Sequence, residues 1–152
     1  MPLTQAEIDA LVADPEKVID GDIPWLQDED HSPSVEFRAE VRTTSGYPLF
    51  VRGSYNPLIG ALTYALILKP VGRIYGLDMG KDHHNPSCQR VGDLHKHRWT
   101  EAQRDKEAYV PADITASATE PVAVWQQFCA EAGIRHLGQL GTVPPLQGDL
   151  WP

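Results

Sequence analysis

From Val35 to Arg42 the chain alternates without a break: Val35, Phe37, Ala39 and Val41 are apolar, and Glu36, Arg38, Glu40 and Arg42 between them are charged. Successive side chains of an extended chain point to opposite faces, so this period of two specifies a half-buried strand with a salted outer face. Such a strand needs neighbours. Tyr47 to Arg52 reads as its antiparallel partner across the turn from Thr43 to Gly46, with Pro48 near the start, where a missing amide donor does least harm. After a connection from Gly53 to Gly60, Ala61 to Leu68 is apolar on both faces and belongs centrally in the sheet. Lys69-Pro70-Val71-Gly72 is a turn by composition. Arg73 to Met79 returns as a strand with Ile74, Gly76 and Asp78 on one face and Arg73, Tyr75, Leu77 and Met79 on the other, and Val91 to Trp99 completes a set of about five.

Helices are expected at the two ends. Thr4 with Glu7 fits a capping box, and Ile8, Leu11 and Val12 follow at helical spacing, which predicts a helix over 5–13. Asp14-Pro15 reads as the start of a second short helical turn, closed at Gly21 after Val18-Ile19. Thr119 caps a C-terminal helix that tolerates Pro121 in its first turn and shows Val122, Trp125, Phe128, Cys129 and Ala132 as one apolar stripe before Gly133. Residues 100–109 fit either a polar helix or a loop closed by Pro111. The fold class is therefore α+β: an antiparallel sheet of about five strands, the C-terminal helix packed on it, and a short helical N-terminus. Residues 1–134 form one domain with an acidic front end over 1–33, and 135–152 form an irregular Pro/Gly-rich tail.

Charge limits the partners. Net charge is -8, yet residues 1–35 hold nine acidic groups against Lys17 alone, and the rest of the chain is balanced. A neutral body with an acidic front end lacks the broad basic face that counterion release rewards, which argues against extended nucleic-acid binding. A small anionic or phosphate-containing ligand is still accommodated locally, where Lys69, Arg73, Lys81, Arg90, Lys96 and Arg98 outnumber Asp78, Asp82 and Asp93. No apolar run approaches the roughly 20 residues of a membrane span. Cys88 and Cys129 specify neither a disulfide framework nor a zinc ribbon, so a cytoplasmic setting is expected.

The chemistry concentrates in residues 83–98, where four of the six histidines fall within 15 positions. On a strand, Asp93, His95, His97 and Trp99 share a face, and two imidazoles about 7 Å apart can offer two metal ligands with Asp93 as a third ligand or orienting group. His83 or His84, on the preceding loop, would supply the missing ligand. The candidate metal set is thus His84, His95, His97 and Asp93, and its ligand types suit zinc, manganese or nickel. Without a metal, His95 and His97 could act as general base and acid, with Lys96 or Arg98 stabilising a developing anion such as a phosphoryl group. Strict alternation places those two basic groups opposite the histidines. The alternatives are a metal- or histidine-dependent phosphodiester hydrolase and a non-catalytic binding protein that contacts a protein partner through the acidic front end and the tail.

A His-X-Asn-Pro loop over residues 83–86, the pair His95-X-His97, Glu101, and the run Asp105-Lys106-X-Ala108-Tyr109-X-Pro111 together resemble a family of uncharacterised bacterial proteins. Gln5-Ala6-Glu7 is similar to the opening helix of its members, and the helix ending at Gly133-Ile134 to their last. Ala102, Gln103 and Arg104 stand where glycines are expected, and Glu107 where an aromatic is. The resemblance spans residues 4–134 and implies a shared fold and a shared polar centre. Association of such proteins with mobile elements implies a role of phage or defence type.

Overall fold

The computed structural model describes residues 3–80, 85–87 and 91–145. Helix α1 spans Gln5–Ala13, and its capping box is formed: the Thr4 side chain accepts from the Glu7 amide while Glu7 reaches back to the Thr4 amide. The strands are β1 (Lys17–Ile19), β2 (Leu26–Gln27), β3 (Val35–Val41), β4 (Leu49–Asn56), β5 (Ala61–Leu68), β6 (Gly72–Met79), β7 (Leu94–Arg98), β8 (Ala108–Tyr109) and β9 (Ile134–His136), with α2 (Pro121–Ala132) before the last. Strands β2 to β8 form one seven-stranded sheet in chain order, every neighbouring pair antiparallel. Among the described residues no helix is long and apolar enough to cross a membrane.

The α+β class holds, while details differ from the sequence reading: α2 has Glu120 and not Thr119 at its N-cap, and β4 runs on to Asn56. The sheet has seven strands because β2 and β8 are two-residue edges, too short to show a period. Residues 17–19 form a strand instead of a helical turn. Lys17, Val18 and Ile19 pair in parallel with Ile134, Arg135 and His136, and this long-range ladder suits β-branched Val18 and Ile19 better than one isolated turn of helix. The chain after α2 continues that contact, with Ile23 donating to Gln139 O and accepting from the Gly141 amide.

Helix α2 covers one face of the sheet and fixes which residues are interior. Trp125 meets Phe37 and Tyr64 edge-on with centroids 5.5 and 5.1 Å away, and Phe128 lies 5.8 Å from Tyr75. Phe37 needs its cross-strand partner to be Gly53: a Cβ there would sit 2.0 Å from the ring. The helix ends on Gly133 in the left-handed conformation, φ 70°, its amide bonded to Cys129 O.

Lys17 ties the helix ends to β1. Its ammonium is fully buried and donates to the carbonyls of Leu11, Val12 and Asp14 at 2.8, 2.8 and 2.6 Å, and it lies beside Gly133. The last carbonyls of α1 have no partner within the helix, so one cation satisfies three acceptors at a negative helix end. Lys17→Met should lower stability by about 1–3 kcal/mol with an unchanged denaturant slope. Urea unfolding checks this, and an unshifted midpoint would contradict it.

Candidate metal centre

Pairing of β6 with β7 sets Asp78 directly opposite His95 and Gly76 opposite His97. Because β5 is also in register, Thr63, Asp78 and His95 form one row across the sheet, and Ala65, Gly76 and His97 form the next. All of these project to the face away from α2. His95 and His97 stand edge to face with centroids 4.9 Å apart. Their side chains are 2% and 4% exposed and that of Asp78 11%, so a charge here must be matched locally.

The outer ring nitrogen of each histidine is committed to the backbone. His95 Nδ1 lies 2.9 Å from Gly92 O and His97 Nδ1 lies 2.8 Å from Asp105 O. A carbonyl only accepts, so both Nδ1 atoms carry the proton, and in the neutral rings both Nε2 atoms present a lone pair. Those lone pairs converge on one oxygen: Asp78 Oδ2 is 3.3 Å from His95 Nε2 and 3.1 Å from His97 Nε2. Three acceptors facing one another require either protons on the imidazoles or a cation among them. The three ligand atoms lie within 4.8 Å of one another. The two contacts to Asp78 are close to the edge of about 3.3 Å expected for a tetrahedron with bonds of about 2.0–2.1 Å.

The carboxylate is strongly held in its charged form. Burial acts to raise its pKa, but bonds to His95, His97 and Thr63 and the charge of Arg73 more than offset this, leaving it well below the usual carboxylate range. Thr63 Oγ1 donates to Asp78 Oδ1 at 2.5 Å, and Arg73 Nη1 lies 3.5 Å from Oδ2. For His95, burial works against protonation, while the bond to Asp78, then the Gly92 carbonyl and the Asp78 charge, raise the pKa above the ordinary value.

A family of unknown function, DUF6978, has a model that matches residues 3–134. The chain belongs to this family. No curated protein matches, and neither does any solved structure. Membership of DUF6978 agrees with the resemblance read from the sequence and brings no activity with it.

The predicted site residues fall in different places. His95 and His97 share a face as alternation requires. The carboxylate beside them is Asp78 and not Asp93, which is exposed and precedes β7 after Gly92, whose φ of 96° ends the alternation. Lys96 is on the α2 side, fully buried, with Nζ held by Tyr75 Oη at 2.8 Å, Asp113 Oδ2 at 2.7 Å and Glu131. Arg98 points to α1, its Nη2 3.7 Å from Asp9 Oδ1. His84, like His83 and Cys88, lies outside the described residues. The sequence signal for Asp78 was an aspartate between Leu77 and Met79 in the mainly apolar run from Ile74 to Met79, one strand away from His-X-His.

A signed pH dependence follows for protein kept in chelator. The His95 contribution is complete below the unfolded histidine value of about 6.5 and is lost as pH rises through the raised folded value; the Asp78 contribution is present above about 3.9 and is lost in acid. Because burial lowers the Lys17 pKa to about 8, the Lys17 contribution rises with pH above that value. Thermal unfolding of the chelated protein should therefore show stability falling from about pH 6.5 to about pH 8, with a shallower fall in His95→Gln. A flat wild-type profile over that interval contradicts the assignment.

Proposed function

We propose that this chain is a divalent-metal-dependent hydrolase of the phosphodiester type, with Asp78, His95 and His97 as protein ligands. The observation that carries the reading is that both Nδ1 atoms are engaged by backbone carbonyls, so both Nε2 lone pairs are aimed at the same carboxylate oxygen. Backbone carbonyls that fix the tautomer of a ligating histidine are the usual outer support of such centres. Two imidazoles and one carboxylate suit zinc or manganese. These three ligands leave a position for a substrate oxygen, a fourth from His84 would leave it only through five-coordination, and a divalent ion held there would polarise that oxygen and lower the pKa of a coordinated water.

His84 is proposed as a further ligand. What supports it is the anchoring of its chain neighbour: the Asn85 side chain donates through Nδ2 to Ala108 O at 2.9 Å and accepts at Oδ1 from the Ala108 backbone N–H at 2.8 Å, and Ala108 pairs with His97. Lys96 and Arg98 have no part in this reading, since their cationic groups are engaged elsewhere. A cytoplasmic setting fits a chain whose Cys129 is a buried free thiol. A second reading, a non-catalytic protein of phage or defence type acting through protein contacts, is favoured by Leu58 and Ile59, each 68% exposed on the turn between β4 and β5.

Elemental analysis of protein purified without a histidine tag separates the two. Wild type should carry one equivalent of zinc or manganese, and Asp78→Asn or the pair His95→Ala with His97→Ala should weaken its retention by at least about 100-fold. Hydrolysis of RNA or a model phosphodiester should fall in parallel. Wild-type protein that binds no divalent ion from a panel, or a double variant that keeps its metal, overturns the metal reading.

A further inference from the structure

The chain places one guanidinium against this centre by a route that strand alternation hides. Counting back from Asp78, Arg73 belongs on the α2 side of the sheet. Between β5 and β6, however, Leu66 pairs with Tyr75 and Ile67 with Arg73, so Ile74 is an extra residue. This β-bulge turns Arg73 onto the histidine face, since two residues of one strand then oppose one of the other. The side chain next runs along the strand over Gly76. A Cβ on Gly76 would lie 2.8 Å from Arg73 Cδ, so the path is open only because that position has no side chain.

At the end of this path the guanidinium is held loosely. Nη1 is 3.5 Å from Asp78 Oδ2, Nη2 is 3.4 Å from Asp105 O, and Nε is 3.2 Å from Asp105 Oδ2. Charge-assisted bonds of arginine to carboxylate are shorter, about 2.7–2.9 Å, and a guanidinium has five N–H groups to place. Nε is buried and has no aligned acceptor among the described residues. The Arg73 side chain as a whole is 22% exposed, so it is not sealed from solvent. Arg73 is thus anchored beside a ligand oxygen and retains unused donor capacity.

Charge points the same way. A divalent ion and Arg73, set against Asp78 and Asp105, leave the described part of the site with net positive charge when the histidines are neutral. We propose that Arg73 is the substrate-binding residue of this centre, taking a phosphoryl oxygen by hydrogen bonds while another oxygen of the same group meets the metal. Gly76 is its positioning residue. This assignment rests on the metal reading given above. It names the feature the substrate must carry, a tetrahedral oxyanion with two free oxygens on one phosphorus, which planar fork recognition by arginine suits.

The test uses the full chain loaded with manganese and titrated calorimetrically with inorganic phosphate, manganese affinity being measured separately for each protein. Arg73→Met should weaken phosphate binding roughly 10- to 100-fold with manganese binding retained. Arg73→Lys, which keeps the charge and loses the fork, should fall between. Gly76→Ala, which leaves every ligand in place and pushes the Arg73 stem aside, should weaken phosphate binding at least about threefold with manganese affinity unchanged. Equal phosphate affinity in wild type, Arg73→Met and Gly76→Ala, with manganese bound in all three, overturns the role of Arg73 and leaves the metal reading intact. Failure of wild type to bind manganese or zinc removes both.

Discussion

A carboxylate buried on a sheet must be matched by protons or cations, and the surroundings of Asp78 follow from that requirement. Its two oxygens are approached by Thr63 from β5, by Arg73 from its own strand and by both imidazoles from β7. Each approach depends on register: a slip of one residue between β6 and β7 would carry His95 and His97 to the α2 face and leave Asp78 unpaired. The outer partners, Gly92 O and Asp105 O, come from the segments on either side of β7, so local chain geometry decides which ring nitrogens face the carboxylate.

The other face of the same strands has the opposite arrangement. Lys96, between the two histidines in sequence, enters the aromatic layer beneath α2 and is neutralised by Asp113 and Glu131, with Tyr75 as its third acceptor. A buried cation with three acceptors is held as strictly as the buried anion behind it. β7 therefore has charged or titratable groups on both faces, and its neighbours must supply the complement on each. This double demand explains why a strand of only five residues is fixed by partners from β6, β8, α2 and three loops.

The sequence exposes those parts of this design that depend on local period. Helix α1 and strands β3 and β5 have the bounds that capping and alternation predict, and α2 lies where its apolar stripe places it. The pairing of His95 with His97, and the exclusion of Lys96 from their face, are also consequences of alternation. What depends on contact between distant segments is hidden. The parallel ladder of β1 with β9 overrides a helical signal at Asp14-Pro15. Asp78 is recognised as a partner of the histidines only through the register, and Asp93 reads as its equal in sequence because Gly92 gives no warning that the strand starts at Leu94. Arg73 is the most concealed, since one bulge residue reverses its face.

The central claim is that His95 and His97, through Nε2, and Asp78 hold one divalent ion. X-ray absorption at the zinc edge of the zinc-loaded protein tests it most directly. The predicted spectrum has at least two imidazole nitrogens at about 2.0–2.1 Å with carboxylate oxygen at about 2.0–2.2 Å, and it loses imidazole scattering in His95→Ala. A spectrum of oxygen ligands alone, or one unchanged in that variant, would contradict the account.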